Sequence, residues 1–169
     1  MESSFFIKKN PNKEMLIEAL KYFNANIIAN NFPYLMRNDV FDLAEVDAWH
    51  EEQVRGKSIR LIGVINKSKV ISIAYLCRGH GNGFHVAKLG ITVDPEYQRK
   101  GVANMICKEL LKYGREEGVV RVEAYPVVNN NNAITFLSRL GFLNEGIASK
   151  KFRRDETTFY DCIHMARIL

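Results

Sequence analysis

The sequence predicts a mixed α+β fold, and three observations lead there. The stretch from His85 to Asn104 reads as a buried strand, a proline-stopped bend and a helix start. Apolar, β-rich runs at residues 59–65 and 70–76, and again at 143–150 and 157–169, read as two antiparallel hairpins. Between the hairpins, strand, helix and strand across residues 85–125 form one right-handed parallel crossover.

Taken in order, Ser4 to Ile7 is a short first strand. Asn10-Pro11 reads as an N-cap with proline at the first helical position, and Leu16, Ala19, Leu20, Phe23 and Ile27 continue at helical spacing to about Ala29. Asn30 to Pro33 breaks that helix. Asp42 caps a second one, with Glu45 three residues on, and it ends near Gly56. The first hairpin turns at Asn66 to Lys69, and Arg78 to Gly83 is a glycine-rich connection with no helix behind it. In the strand that follows, Val86, Leu89, Ile91 and Val93 are apolar, and Asp94-Pro95 stops it because proline cannot donate to a ladder. Val102, Ile106, Leu110 and Tyr113 then share one helix face, closed by Gly118. Val119 to Tyr125 is a strand stopped by Pro126. Ala133, Leu137 and Leu140 form one face of a short helix ended by Gly141, ahead of the final hairpin.

Composition narrows the function. The chain has 169 residues, 47% of them hydrophobic, which suffices for one domain with a real core. No apolar run approaches the ~20 residues that span a bilayer. Met1-Glu2-Ser3-Ser4 lacks a signal peptide's basic start, so a cytoplasmic location is expected. Three scattered cysteines (Cys77, Cys107, Cys162) argue for a reducing compartment and against a disulfide framework or a zinc site; no metal is expected. The net charge of +5 admits nucleic acid, a membrane surface or an anionic ligand. The densest basic cluster, Lys150 to Arg154, reads as a solvated hairpin loop, with Asp155-Glu156 directly after it. No nucleic-acid motif accompanies it, so neither nucleic acid nor membrane is an expected partner. A small anionic ligand accounts for the charge.

The start of the third helix is where such a ligand fits. A helix start leaves four backbone N–H groups without partners, at the positive end of the macrodipole. Gly101 and Ala103 let an anion approach those amides, and Arg99 and Lys100 add full charge. Neither a P-loop nor a Gly-x-Gly-x-x-Gly pattern is present. Instead, Gln98-Arg99-Lys100-Gly101-Val102-Ala103, after a strand ending Val-x-Pro-x-Tyr, resembles the phosphate-binding motif of the GNAT superfamily of N-acetyltransferases. Asn130-x-x-Ala133, followed by Leu140-Gly141-Phe142, resembles the second motif of that family. The likeness covers residues 59–168.

The resemblance implies a single domain over residues 1–169. It implies a twisted, mostly antiparallel sheet of about seven strands with one splayed parallel pair, and about four helices. Residues 1–57 would be the variable acceptor side and 59–168 the acetyl-CoA core. It implies acetyl transfer from acetyl-CoA to a primary amine by direct attack in a ternary complex. The alternative is a non-catalytic acyl-CoA sensor of the same fold. The backbone of Ile91, Thr92 and Val93 would pair with the pantetheine arm. The amides of Gln98, Arg99, Lys100, Gly101, Val102, Ala103 and Asn104 would hold the pyrophosphate, and Asn130 would bond the pantetheine side. The family's usual proton-donating tyrosine falls at Leu137, and its frequent glutamate is absent from Val86 to Leu89. His85 and Tyr125 are left as acid–base candidates, with His164 and Tyr160 behind them. Each has an ordinary reading beside it: a histidine at a strand start and an aromatic at a core edge. The acidic stretch Asp39, Asp42, Glu45, Asp47, Glu51 and Glu52, with Phe32, Tyr34 and Trp49, suits a cationic amine, or simply a solvated helix face. A monomer or a homodimer is expected.

Overall fold

In a computed structural model, which describes residues 5–32, 40–66 and 68–169, the elements run as the periodicity predicts. They are β1 (Phe5–Lys9), α1 (Lys13–Ile28), α2 (Leu43–Val54), β2 (Ser58–Ile65), β3 (Lys69–Arg78), β4 (Val86–Val93), α3 (Val102–Glu116), β5 (Arg121–Ala124), α4 (Asn131–Arg139), β6 (Leu143–Arg153) and β7 (Phe159–Ile168). The seven strands form one sheet in the order β1-β2-β3-β4-β5-β7-β6. Every neighbouring pair is antiparallel except β4 with β5, the crossover pair.

The strand period of two sorts side chains onto two faces. Ile59, Leu61, Ala74, Leu76, Ala87 and Val122 pack under Ile106, Leu110 and Leu111 of α3 and Leu137 of α4. Ile62, Val64 and Ile73 point the other way and pack under Ala19, Tyr22 and Phe23 of α1, with Phe41 and Trp49 at the edge. Among the described residues no helix is long and apolar enough to cross a membrane.

Three local expectations are corrected. Asn10 does not cap α1. It sits at φ 43 with its side-chain oxygen accepting from Arg60 N–H, and Asn12 caps the helix by accepting from Met15 N–H. The strand expected over 119–125 pairs only from Arg121 to Ala124. Lys150 to Arg153 is not loop: β6 runs through it, with a register break between Ala148 and Phe152 and Lys150 at φ 49. Charged side chains hid this strand, because an edge strand needs partners only for its backbone and carries charge outward. Lys67, in the expected first-hairpin turn, lies outside the described residues.

Candidate active site

β4 has a complete partner on one side and an incomplete one on the other. β3 pairs it from Ala87 to Val93, whereas β5 pairs only Val86 to Lys88, against Arg121 to Glu123. Beyond Ala124 the chain turns toward β7. Pro126 offers no N–H, its carbonyl accepts from Ile163, and Val127 bridges to Cys162. A wedge therefore opens between β4 and β5.

The backbone groups facing the wedge follow from strand alternation. Val86 O accepts from Gly79 N–H at 2.9 Å and Asp94 N–H donates to Ile71 O at 2.8 Å, so the even-numbered residues face β3. Leu89, Ile91 and Val93 face the wedge. Thr92 does not: its backbone belongs to the β3 ladder, and its hydroxyl accepts from Tyr22 at 3.4 Å. Val93 O accepts from the Gln98 side-chain amide at 3.0 Å. Leu89 closes the β5 ladder with its N–H, because Lys88 pairs with Glu123, so its carbonyl and both backbone groups of Ile91 are left for whatever fills the gap. Half-buried edge groups of this kind need a partner.

At the wide end of the wedge stands the start of α3. Arg99 (φ 58) and Gly101 (φ 84) are both left-handed, a bend that glycine takes without strain. Gly101 is the N-cap residue and no side chain caps the helix. Met105 N–H is the first to donate within the helix, to Gly101 O at 3.0 Å, which leaves the amides of Val102, Ala103 and Asn104 facing outward. A cavity of about 1070 Å³ opens there, bordered by Ile91, Gln98, Arg99, Gly101, Ala103 and Asn104, with Phe136 and Arg139 of α4 opposite. The Val102 side chain is buried, and the Lys100 ammonium lies 5.3 Å from the Tyr97 ring centroid. Asn130 caps α4, accepting from Ala133 N–H at 3.1 Å, while Asn132 and Ala133 reach the cavity wall.

A second cavity of about 500 Å³ adjoins the first through Ile91, Ala133 and Phe136. Lys88, Leu89, Gly90, Tyr125 and Leu137 border it. A third, of about 240 Å³, lies under α1 and α2 and shares Phe23, Phe41, Tyr75 and Cys77 with the second. The three form a path from the α3 amides through the wedge to the helix face.

Of the acid–base candidates, the structure brings Tyr125 to this path. His85 is exposed at the start of β4, outside all three cavities, and its carbonyl accepts from Val120 and Arg121. Around Tyr125 is a group of charges that sequence reasoning missed. Its hydroxyl donates to Glu123 at 3.0 Å, and its ring stacks on His164 with centroids 4.8 Å apart. Arg121 donates to both Glu123 and Glu145. His164 Nε2 lies 3.4 Å from Glu123. The one signal was alternation: Arg121, Glu123 and Tyr125 occupy every second position, hence one face.

Burial, then the hydrogen bond to Glu123, pushes the Tyr125 phenol up to about 12. Burial pulls the Glu123 carboxyl upward, but Arg121, Tyr125 and His164 together hold it below its ordinary value. A depressed carboxyl stabilises the fold above its unfolded value near 4.5, and that contribution is lost as pH falls through the folded value. Glu123→Gln is therefore expected to lower the melting temperature at neutral pH and to flatten its fall on acidification to about pH 3. An unchanged acid limb in the variant would show that Glu123 does not drive it.

The acidic stretch is largely committed to structure. Asp42 caps α2, Asp47 pairs with Lys13, Glu51 with Arg55 and Glu52 with Arg60. Asp39 and Tyr34 lie outside the described residues. Cys107 and Cys162 are buried, and burial pushes the Cys107 thiol up to about 12, as befits a core residue. Among the described residues no cluster could hold a metal ion.

Comparison with known proteins agrees with this arrangement. An acetyltransferase of the GNAT family from Streptococcus pneumoniae superposes with a TM-score of 0.86 at 18% identity, covering 98% of this chain and 100% of that one. A GNAT superfamily phosphinothricin acetyltransferase from Sinorhizobium meliloti, solved in complex with acetyl-CoA, superposes at 0.79 with 17% identity, covering 100% and 89%. An L-amino acid N-acetyltransferase from Escherichia coli K12 is 33% identical over 85 residues, 50% of this chain and 52% of that protein, so the match spans about half of its length. The sequence model of the acetyltransferase (GNAT) family matches residues 26–142, more than half of the chain. With the wedge, the uncapped α3 and this match together, the chain belongs to the GNAT acetyltransferase family.

Proposed function

We propose that the protein transfers an acetyl group from acetyl-CoA to the primary amine of a small molecule, by direct attack within a ternary complex. The observation that carries this reading is the wedge, which runs from uncapped helix amides at one end to a phenol at the other. The amides of Arg99 to Asn104, with the Arg99 side chain beside them, would hold the pyrophosphate, whereas the Gln98 N–H already donates to Pro95 O and its side chain to Val93 O. The backbone of Leu89, Ile91 and Val93 would pair with the pantetheine arm as an added strand, and Asn130 fixes the start of α4 that walls it. Donors facing the wedge would polarise the thioester carbonyl. Tyr125 borders the inner end with its hydroxyl donating to Glu123, and His85 lies exposed at the start of β4, apart from the wedge.

Glu45, Glu52 and Arg60 border the third cavity, so its wall carries both signs and a cationic amine stays among the classes to try. Lys88 borders the second cavity and would meet an acceptor carboxylate. The name of the Escherichia coli relative supports L-amino acids as the class to try first.

Acetyl-CoA is expected to raise the melting temperature by mass action on the native state. Thiol release from acetyl-CoA with L-phenylalanine, L-leucine, L-lysine and spermidine, with product masses, then identifies the acceptor. Binding without thiol release from any of them would favour the non-catalytic sensor, for which Leu137 in the tyrosine position already speaks.

A further inference from the structure

Acyl transfer to an amine must take a proton from nitrogen and place one on sulfur. Leu137 cannot donate, the segment from Val86 to Leu89 carries no carboxylate, and the Tyr125 hydroxyl is held by Glu123. One other phenol stands in the same space.

Tyr75 lies in β3 directly across from Gly90 of β4, two residues past the last β4–β5 pair, Lys88 with Glu123. A Cβ at Gly90 would fall 2.2 Å from Tyr75 Cζ and 2.4 Å from its hydroxyl oxygen. The ring therefore occupies space over the β4 backbone that only glycine leaves open, at the point where the wedge begins. Tyr75 borders both the second cavity and the third, so it stands where the donor path meets the helix-face cavity. The Arg60 guanidinium lies 5.8 Å from the ring centroid. Among the described residues the hydroxyl makes no hydrogen bond. Burial raises its pKa, so the phenol stays protonated and neutral.

We infer that the Tyr75 hydroxyl carries the proton from the acceptor nitrogen to the departing sulfur. This rests on the acetyl-transfer reading above. The nitrogen lone pair forms the bond to the thioester carbonyl carbon. The carbon–sulfur bond breaks and its electron pair goes to sulfur. The phenol proton passes to sulfur, and the phenol oxygen takes a proton from nitrogen. The sum is an amide, a free thiol and an unchanged phenol. A neutral group suits this task because it neither gains nor loses charge over the cycle, so burial does not oppose it. One residue then covers the two roles that the family more often divides between a glutamate and a tyrosine.

The ordinary alternative is an aromatic ring that covers a strand glycine, and Tyr75→Phe separates the two. The variant keeps the ring on Gly90 and loses only the hydroxyl. Expected is an unchanged melting-temperature rise with acetyl-CoA, an unchanged KM for acetyl-CoA, and a kcat lower by roughly 10²-fold or more. The readout is thiol release with whichever of L-phenylalanine, L-leucine, L-lysine or spermidine turns over fastest, or with water if none does. Gly90→Ala, which forces the ring off β4, should lose turnover similarly while still responding to acetyl-CoA. Turnover of Tyr75→Phe within about threefold of wild type would overturn the inference and leave acetyl transfer standing. So would loss of the acetyl-CoA response in Tyr75→Phe, which marks a structural role, or a comparable loss confined to Tyr125→Phe. A wild-type protein that binds acetyl-CoA but releases no thiol would overturn both readings.

Discussion

Gly101→Glu abolishes the rise in melting temperature with acetyl-CoA: this is the expected result, and it is the largest binding effect the structure points to. Three costs act together. Gly101 sits at φ 84, where a side chain adds about 1–2 kcal/mol of backbone strain. A Cβ there meets nothing within 4 Å, so the new side chain extends into open space on the cavity side rather than clashing with the fold. Its carboxylate then competes with the pyrophosphate for the free amides of Val102 to Asn104 and repels it. The native fold should survive, because no packed neighbour is displaced. Gly101→Ala carries the strain without the charge and should retain weakened binding. Calorimetric titration of the three proteins with acetyl-CoA separates these terms. Equal affinity of Gly101→Glu and wild type would show that the phosphates sit elsewhere.

Leu110→Ala is expected to cost about 2–5 kcal/mol of stability, because the side chain is fully buried in the middle of α3 and the helix cannot collapse onto the vacated space. Leu110 packs with Leu76, Ala87 and Val122 beneath the central strands, so the hole lies at the centre of the larger core. At about 2–4 °C per kcal/mol for a chain of this size, the melting temperature should fall by roughly 5–15 °C. Scanning calorimetry reads it directly. A shift below about 2 °C would mean that the site relaxes and that α3 is not anchored by this contact.

The elements were legible in the sequence because their signals are local. Helical spacing from Val102 to Tyr113, proline stops at Pro95 and Pro126, and Gly101 at a helix start each act over a few residues. What was not legible depends on neighbours distant in the chain. Tyr75 is one aromatic among many until the β3–β4 register places it over Gly90. Glu123 gains its meaning from Arg121 beside it, but also from Glu145 and His164, brought by β6 and β7. Thr92 looked equivalent to Ile91 because a strand sequence does not tell which edge each amide serves. His85 drew attention by residue type, and its place at the far end of β4 shows how little type says without position. The charged end of β6 misled for the converse reason: an outer strand is held by its main chain, on which side-chain polarity bears little.

The two larger hydrophobic cores lie on opposite faces of the sheet and share no residue. One binds the body of α3 and α4 to the strands, and a smaller cluster with Val93, Val102 and Ala103 seats the start of α3 beside it. The other binds α1 and α2 and shapes the cavity next to Tyr75. A substitution at Trp49 repacks the second and borders only the helix-face cavity, while the buried residues beneath α3 belong to the first. Under the proposed function, donor handling and acceptor choice are therefore separable traits. Drift or selection can retune what the helix face admits while the machinery beneath α3 stays intact, which makes this half of the molecule the natural place to redirect its specificity.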